Sequence, residues 1–400
     1  MIYLKTPNEG QQKLINEAVD WFHNSSEQVF QFAGKAGRGK TFVLLKIVEA
    51  LGVPLDQIAC MSYTGCASLV MRTKGLTGAK TNHSWLYNPV EGYKYDKSGI
   101  ILKDNYLNRP LTELHFIPKP LEGIILMIID EARTTPLHMK AEIESRGIKI
   151  IACGDVSQLP PVADEPAYLV SGKIHMLTEC MRQAKDSPIL YLAERAINGY
   201  AIQPGYYGNC LVIYDDELTD EMIKCSDIVL CGKNNTRDLI NKKVRRDILN
   251  IKTDLPACGE KFICRKNNWK EELDGINLTN GLVGTVINSP GIQRFDGKTF
   301  GIDFKPDILN SYFEDLKCDY NYLIAPFEQK KYLKNDRYSL GDKFEFAYAI
   351  TTHLSQGSEF NNGIYIEEYL SKEIQPNLNY TAVTRFRDGM IWVKRRRKFY

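Results

Sequence analysis

The sequence lacks the features typical of membrane-spanning, secreted and metal-clustered proteins. No run approaches the roughly 18 consecutive apolar residues of a membrane helix, and the first residues (MIYLKTPNEGQQ) contain no apolar signal-peptide core. None of the ten cysteines stands in a CxxC pair, and the closest cysteine pairs have no partnering histidines. We therefore expect a cytoplasmic protein without a membrane partner, in which the cysteines are buried and reduced.

Excess charge of one sign is also missing. The chain has 51 Lys and Arg against 49 Asp and Glu, a formal net charge of only +2. Any affinity for nucleic acid must therefore come from local basic patches. Two basic runs occur, at 242–246 (KKVRR) and 394–398 (KRRRK). Each run is either an ordinary solvated face or a surface that binds along the phosphates of a nucleic acid.

What the sequence does contain is an alternation of short apolar runs and helical patterns. Its 400 residues, 44% of them hydrophobic, suffice for two to four domains. The alternation predicts a doubly wound α/β sheet. Helical periodicity gives way to β-type patterns at 88–120 and 256–340, which we interpret as a small β-rich insertion and a small β-barrel. The predicted strands are 28–33, 58–63, 124–129, 149–153 and 228–231, and the predicted helices include 41–51 and 237–249.

A glycine-rich segment follows the first predicted strand and opens a helix. Residues 34–41 (GKAGRGKT) fit the pattern GxxxxGK[ST] in the required strand–turn–helix setting. Gly34, Gly37 and Gly39 allow backbone N–H groups to close around phosphates. Lys40 would reach the β- and γ-phosphates of ATP, and the Thr41 hydroxyl would bind Mg²⁺.

An acidic pair ends the most apolar predicted strand. Asp130 and Glu131 follow the run IILMII, so they should emerge at the ligand edge of a parallel sheet. In this setting Asp130 would hold Mg²⁺, and Glu131 would orient and deprotonate the attacking water. The alternative is an ordinary acidic helix cap.

Three further segments resemble the motifs of superfamily 1 helicases. Residues 154–162 (GDVSQLPPV) look like the GDxxQLPPV signature, 348–360 resembles the fifth motif, and 380–385 (YTAVTR) resembles the sixth. The match is best with the RecD-like branch and with short phage helicases of the Dda type. It covers residues 11 to 393 in the family's order.

The resemblance implies two RecA-like α/β domains with ATP between them. Residues 277–286 (NLTNGLVGTV) look like the NGxxGxV segment of an SH3-like barrel inserted in the second domain. The predicted divisions are 1–87 with 121–180 for the first RecA-like domain, 88–120 for its insertion, 181–255 with 341–400 for the second, and 256–340 for the barrel.

The resemblance also assigns roles within the ATP site. Gln158 would sense the γ-phosphate, and Arg182 and Arg385 would be arginine fingers from the second domain. A guanidinium suits this task because phosphoryl transfer spreads charge over the γ-oxygens. Gln11 would bind the adenine of ATP, and Glu359 would also bind ATP. Read without the resemblance, Gln11 is only a polar residue near a helix start, and the arginines suit surface salt bridges.

The same motifs contain candidate nucleic-acid ligands. Short hydroxyls and backbone N–H groups at loop positions suit phosphate contacts that position a strand without reading its sequence, whereas a lone histidine is more often structural. These candidates are Thr64, Thr81, His83, Thr352 and His353.

Aromatic side chains could stack on bases, although core packing is the commoner role of such a residue. Candidates for a wedge that splits a duplex are Tyr93, Tyr95, Tyr106 and Phe116, with Trp269 as a channel wall.

One position departs from the family pattern. The family usually has methionine two residues after the acidic pair, whereas this chain has Arg133. The substitution adds a positive charge near the catalytic carboxylates, which could alter the coupling of hydrolysis to stepping.

The sequence thus predicts a monomeric ATP-dependent DNA helicase, phage-encoded or cellular, acting in replication, recombination or repair. Its partners would be single-stranded and forked DNA and a single-strand-binding protein, and the resemblance implies 5′-to-3′ movement. Two alternatives stay open. One is an RNA helicase, since backbone contacts do not reveal a 2′-hydroxyl preference. The other is a translocase or ATP-driven switch that remodels nucleoproteins without unwinding.

Overall fold

The chain is organised as two compact units, each built from separated segments. The computed structural model describes residues 6–96, 98–103, 110, 112–162, 164–179, 187–288, 295–334 and 341–396. The first unit comprises Met1–Lys80, Gly123–Thr253 and Phe346–Tyr400, and the second comprises Thr81–Glu122 and Asp254–Glu345. Among the described helices, none combines the length and apolarity needed to cross a bilayer.

The first sheet of the first unit has six strands in the order β3-β2-β6-β7-β1-β8. The pairs from β2 to β8 are all parallel. The first four residues of strand β6 are apolar and buried, as expected for a strand covered on both faces, and Asp130 ends it. The strands are β1 (Val29–Gly34), β2 (Ile58–Ser62), β3 (Lys80–Thr81), β6 (Leu126–Asp130), β7 (Lys149–Gly154) and β8 (Ile174–Leu177).

Helices α1 (Glu9–Asn24) and α2 (Lys40–Leu51) pack together against this sheet through one apolar cluster. Helix α1 begins at a capping box in which Asn8 and Gln11 bond each other's backbone N–H groups. Two shorter helices belong to the same unit: α3 (Gly65–Thr73) and α5 (Lys140–Glu144).

The second sheet of the same unit has the order β19-β11-β20-β21-β10-β9. Its pairs are parallel except for β9 with β10. The strands are β9 (Gly205–Tyr207), β10 (Cys210–Tyr214), β11 (Ile228–Cys231), β19 (Ala349–Thr351), β20 (Phe360–Ile366) and β21 (Phe386–Lys394). The helices are α6 (Pro188–Ile197), α7 (Asp220–Lys224), α8 (Asn234–Lys243) and α11 (Gln375–Val383).

These two sheets confirm the predicted α/β class. The predicted strand at 228–231 matches β11, and the other predicted strands match β1, β2, β6 and β7 with shifts at their ends. The predicted helix at 237–249 begins earlier, as α8, and changes to a π-helical turn at Val244–Ile248.

The second unit contains three β-structures. A hairpin pairs β4 (Tyr87–Tyr93) with β5 (Thr112–Pro118), preceded by the short helix α4 (Asn82–Leu86). A second hairpin pairs β13 (Asn268–Leu273) with β14 (Ile276–Leu278). A five-stranded sheet has the order β17-β16-β15-β12-β18, with β12 (Lys261–Cys264), β15 (Val283–Asn288), β16 (Thr299–Pro306), β17 (Phe313–Asp319) and β18 (Phe344–Phe346).

Gly284 shows why the NGxxGxV segment needs glycine. A Cβ at this position would lie 2.2 Å from the Lys305 carbonyl oxygen on the neighbouring strand β16. A substitution would therefore separate β15 from β16.

Two expectations from the sequence need correction. Helical structure does not disappear between 256 and 340, because α9 (Tyr320–Ile324) and α10 (Phe327–Lys334) lie there. The pattern of 327–334 is polar, so apolar periodicity could not reveal it. The nine described cysteines are free, but Cys225 and Cys258 are exposed and only the other seven are buried.

Asp342, two residues before β18, lowers the free energy of unfolding when it is ionised. Burial raises its pKa to about 6, although the Asn268 Nδ2 donates to its Oδ1 at 2.9 Å. Because an unfolded aspartate titrates near 3.9, the folded state holds the proton more tightly. Folding stability is therefore lost as the pH rises through about 4 to 6.

We expect Asp342→Asn to raise the melting temperature at pH 7.5 by about 2–4 °C, and the gain to shrink toward pH 5. The neutral amide avoids the buried charge and its oxygen still accepts from Asn268. Thermal melts across this range measure the effect, with the exposed Asp254→Asn as the matched control. A gain that is independent of pH would contradict the assignment.

Candidate nucleotide site

The site is built where three neighbouring strands of the first sheet end. Strand β7 lies between β1 and β6, and all three run parallel. Since carboxyl ends of parallel strands share one edge, the glycine-rich loop, the 154–162 segment and the acidic pair converge there. A cleft of about 380 Å³ opens at this edge, which is in the size range of small-ligand sites.

The glycine-rich loop is shaped to receive an anion. Gly37 and Gly39 have φ of 75° and 79°, in the left-handed region that glycine adopts without strain. Gly39 precedes α2, and no side chain caps the N-terminus of this helix. Its first N–H groups and the Lys40 side chain therefore suit phosphate, and Gly39, Lys40 and Thr41 line the cleft. Gly34 lies at the end of β1, where a Cβ would approach that of Leu177 to 3.0 Å.

The acidic pair adopts a strained geometry. Asp130 Oδ1 accepts from the Glu131 N–H at 2.9 Å and from the Cys153 thiol at 3.1 Å. Glu131 has a φ of 50°, which is unusual for a side chain with a Cβ and is typical of functional turns. Burial raises the pKa of Glu131, opposed by the Arg385 guanidinium and reinforced by Asp130.

The Thr41 hydroxyl and the Asp130 carboxylate line the same cleft, and such oxygen ligands suit Mg²⁺. The residues present therefore fit a magnesium–nucleotide complex. The ion would neutralise charge that develops on the phosphates.

Gln158 links the acidic pair to the second sheet's domain. With its amide oriented to satisfy both neighbours, its nitrogen donates to Glu131 Oε2 at 3.0 Å. Its oxygen accepts from Arg385 Nη2 at 3.1 Å. Both Gln158 and Arg385 are buried. The predicted base, sensor and arginine finger thus form one hydrogen-bonded row.

The second sheet contributes three charged residues to the lining of the cleft, Arg385 among them. They lie at the N-terminal ends of β20 and β21, which are parallel neighbours. Glu359 precedes β20, Arg385 precedes β21, and Arg387 lies at the second position of β21. Arg387 bonds Glu359 through Nε at 2.8 Å and also through Nη2, and Lys74 Nζ lies 3.6 Å from the same carboxylate. Although burial acts to raise it, the pKa of Glu359 is lowered by Lys74 and Arg387.

Of the other two residues assigned to the ATP site, the structure describes Gln11 and not Arg182. Gln11 Nε2 donates to the Arg38 carbonyl of the glycine-rich loop at 3.3 Å, while its Oε1 accepts from Asn8 N–H at 3.1 Å. Gln11 therefore both caps α1 and touches the loop, and its contact with adenine stays a prediction. Arg182 lies outside the described residues.

The candidate strand-binding residues of the first unit come from the start of α3 and from the turn after β19. Thr64 caps α3, and a Cβ on Gly357 would approach the Thr64 Oγ1 to 2.7 Å. Thr352 is fully enclosed, with Oγ1 3.3 Å from the Cys231 carbonyl, so its side chain does not face solvent. Burial lowers the pKa of His353, which favours a neutral ring at pH 7. Their nucleic-acid roles remain predictions.

In the second unit, Thr81 caps α4 and His83 lies within it. His83, Tyr87, Phe116 and Trp269 form a row of edge-to-face and tilted ring contacts with centroids 6.0–6.5 Å apart. Phe116 is nevertheless 45% exposed on the β4–β5 hairpin, as are Tyr93 and Tyr95 to a similar degree. Tyr106 lies outside the described residues.

The basic runs are mostly engaged in contacts within the chain. Arg245 is buried with its guanidinium 3.8 Å from the Phe346 ring centroid, and Lys243 pairs with Asp220 at 2.6 Å. Arg395 pairs with Glu368 at 3.1 Å. These three side chains thus have partners within the chain, and a phosphate-binding role of the runs stays a prediction, with Arg397 and Lys398 outside the described residues.

Some residues that line the cleft or bond the segments beside it were not predicted from the sequence. Gln356, Tyr380 and Thr381 lie inside recognised motifs, so their motif membership was an available signal. Lys74, Asn377 and Arg387 carry no such signal, because their contacts depend on the fold.

Comparison with known proteins agrees with this architecture. Residues 16–164 match a family model described as an AAA domain. The chain is 26% identical over 460 positions to an uncharacterized protein of Methanocaldococcus jannaschii, covering 94% of this chain and 38% of that protein. It is 26% identical over 447 positions to the ATP-dependent DNA helicase Pif1 of Psychrobacter, covering 88% and 63%. The chain therefore spans less than two thirds of either relative.

Solved structures establish the fold. A Pif1 helicase structure concerned with unwinding at forked double-stranded DNA matches with a TM-score of 0.56 and 19% identity, covering 97% of this chain and 92% of that one. Pif1 helicase from Bacteroides with ADP-AlF3 and single-stranded DNA matches with a TM-score of 0.54, 16% identity and the same coverage. The chain thus has the fold of these Pif1 helicase structures, with a RecA-like α/β core.

Arg133, the departure from the family pattern, positions the Gln158 segment. Its Nε donates to the Gln158 carbonyl at 3.1 Å. We expect Arg133→Met to lower kcat for ATP hydrolysis about 10-fold, because a charge-assisted hydrogen bond that holds Gln158 is lost.

Steady-state kinetics with saturating ATP measure this effect. Arg146→Met is the control, since Arg146 pairs with Glu142 on α5 away from the cleft. An unchanged kcat in Arg133→Met would show that Gln158 needs no such support.

Proposed function

We propose that the protein is an ATP-dependent DNA helicase that moves along single-stranded DNA and unwinds duplexes. The observation that carries the proposal is the row Glu131–Gln158–Arg385, which joins a candidate catalytic base on one RecA-like domain to an arginine on the other. An arginine that reaches the phosphates only when the cleft closes ties hydrolysis to domain movement.

In the proposed reaction each side chain has a separate task. Lys40 and the glycine-rich loop hold the phosphates, and Thr41 and Asp130 hold Mg²⁺. Glu131 orients the attacking water and accepts its proton. Arg385 stabilises the charge on the γ-phosphoryl oxygens, and Arg182 is proposed as a second arginine finger.

Two considerations support DNA as the partner. The related Pif1 structures contain or concern single-stranded and forked DNA. The β4–β5 hairpin exposes aromatic side chains that can stack on bases or part a duplex. On the motif resemblance to the RecD-like branch and its Dda-type members, we propose 5′-to-3′ movement, an SH3-like barrel at 256–340 and a monomeric motor. Cytoplasmic action and a single-strand-binding partner belong to the same proposal.

The Pif1 relatives favour neither alternative from the sequence, the RNA helicase or the remodelling translocase, and the ATPase and unwinding assays distinguish them. The candidate hydroxyl and backbone contacts would recognise phosphates in either nucleic acid. Stimulation of ATP hydrolysis by RNA alone would favour the first alternative. ATP hydrolysis with no strand separation would favour the second.

We expect short single-stranded DNA to stimulate ATP hydrolysis, and Lys40→Ala to lower kcat about 100-fold or more, because the lysine charge at the phosphates is lost. A coupled ATPase assay with DNA, RNA or no oligonucleotide measures both effects. Lys46→Ala is the control, because this lysine lies on the same helix and pairs with Glu49. Hydrolysis that ignores nucleic acid would contradict the proposed coupling.

We expect Phe116→Ala to reduce unwinding of a forked duplex several-fold while leaving DNA-stimulated ATP hydrolysis within about twofold of the wild type, because only the stacking surface is lost. Strand displacement and ATPase assays on the same preparation separate the two effects. Ile117→Ala is the matched control, since adjacent strand residues point to opposite faces. Equal unwinding by both variants would remove Phe116 from the wedge.

A further inference from the structure

Tyr380 places its hydroxyl between two parts of the candidate site. It lies on α11 in the second RecA-like domain and is 2% exposed. Its Oη donates to Asp155 Oδ2 at 2.5 Å and accepts from the Ala36 N–H at 2.8 Å. One hydroxyl thus contacts both the glycine-rich loop and the segment after β7.

The direction of both hydrogen bonds follows from their partners. An ionised carboxylate only accepts, and a backbone N–H only donates. The single Tyr380 proton must therefore point to Asp155, which leaves the oxygen lone pairs for Ala36. Burial raises the pKa of Tyr380 well above its ordinary range, with Asp155 adding to the rise, so the proton stays in place.

The neighbouring contacts show that this is an organised junction. Thr381 Oγ1 accepts from Leu159 N–H at 2.9 Å, Asn377 Nδ2 donates to the Ser157 carbonyl at 2.8 Å, and Gln356 Nε2 donates to the Leu159 carbonyl at 2.9 Å. Thr381 and Asn377 lie on α11, and Gln356 precedes it in the same second RecA-like domain. They hold the segment that carries Gln158, whereas Tyr380 alone among these four also reaches the glycine-rich loop.

We propose that Tyr380 is a positioning residue that fixes the glycine-rich loop and the Asp155–Leu159 segment together when the cleft closes. The inference rests on the proposed ATP hydrolysis and adds a residue to it. Its hydroxyl favours the arrangement in which Arg385, five residues further along the chain, meets Gln158. Without it, ATP still binds the first domain, but the closed arrangement is less populated.

The test is Tyr380→Phe against Tyr365→Phe. Tyr365 is a fully buried tyrosine of the same domain, and its Oη donates to Asn379 Oδ1 at 2.7 Å without touching the first domain's loops. Both variants remove one buried hydroxyl, so a general loss of stability affects both. Tyr380→Phe also leaves the Ala36 N–H and the Asp155 carboxylate without this partner.

We expect Tyr380→Phe to lower kcat for DNA-stimulated ATP hydrolysis roughly 10- to 100-fold with less than about a threefold change in KM, whereas Tyr365→Phe retains the wild-type kcat. Equal kcat values in the two variants would overturn the proposal. So would a defect confined to KM, because that would indicate nucleotide binding instead of closure.

A second measurement does not depend on activity. Hydrogen–deuterium exchange at the Ala36 amide of the nucleotide-free protein should accelerate in Tyr380→Phe and not in Tyr365→Phe. Unchanged exchange would overturn the proposal even if the wild type hydrolyses no ATP, which separates its failure from that of the proposed function. If Tyr380→Phe does not fold, Asp155→Asn must accelerate the same exchange, because it removes the charge that orients the hydroxyl.

Discussion

The adjacency of three parallel strand ends is the constraint on which the rest of the site depends. Because β7 lies between β1 and β6, the segment after β7 must stand between the glycine-rich loop and the acidic pair. That segment carries Asp155 and Gln158. The contacts that hold it therefore also set the distance between a bound phosphate and the candidate catalytic base, Glu131. The second RecA-like domain holds it through hydrogen bonds from two places, Gln356 in the turn after β19 and helix α11. In the proposed mechanism, chemistry in one domain thereby depends on the position of the other.

This arrangement gives a physical reason for burying polar groups in the cleft. Gln158, Tyr380 and Arg385 are each almost fully buried, and each is stabilised there by partners that belong in part to the opposite domain. Opening the cleft would break these bonds and expose the groups to water, which can replace them at little net cost. These hydrogen bonds stabilise the closed cleft, and the cleft can still open at little cost. The proposed motor, which alternates its grip on the DNA strand, requires both properties.

Much of this could be predicted from the sequence, for local reasons. The apolar run at 124–129 and the glycine spacing at 34–41 reveal a strand end and a loop without any knowledge of distant residues. The contacts of Tyr380 and Lys74 could not be predicted in this way, because they depend on how two domains meet. The contact of Arg387 with Glu359 depends on the pairing of β21 with β20. Thr352 illustrates the converse: motif membership suggested exposure to a strand, yet its hydroxyl is enclosed beside β11. Helix α10 was missed because its sequence is polar and has no apolar stripe to detect.

The most direct test of the account is strand displacement from a labelled duplex carrying a single-stranded tail. The account predicts that the wild-type protein displaces the strand from a 5′-tailed duplex when ATP and Mg²⁺ are present, and not when ATP is replaced by a non-hydrolysable analogue. Displacement from a 3′-tailed duplex alone would contradict the proposed direction while retaining the motor. ATP hydrolysis stimulated by DNA, with no displacement from either substrate, would contradict the central claim that closure of this cleft drives unwinding.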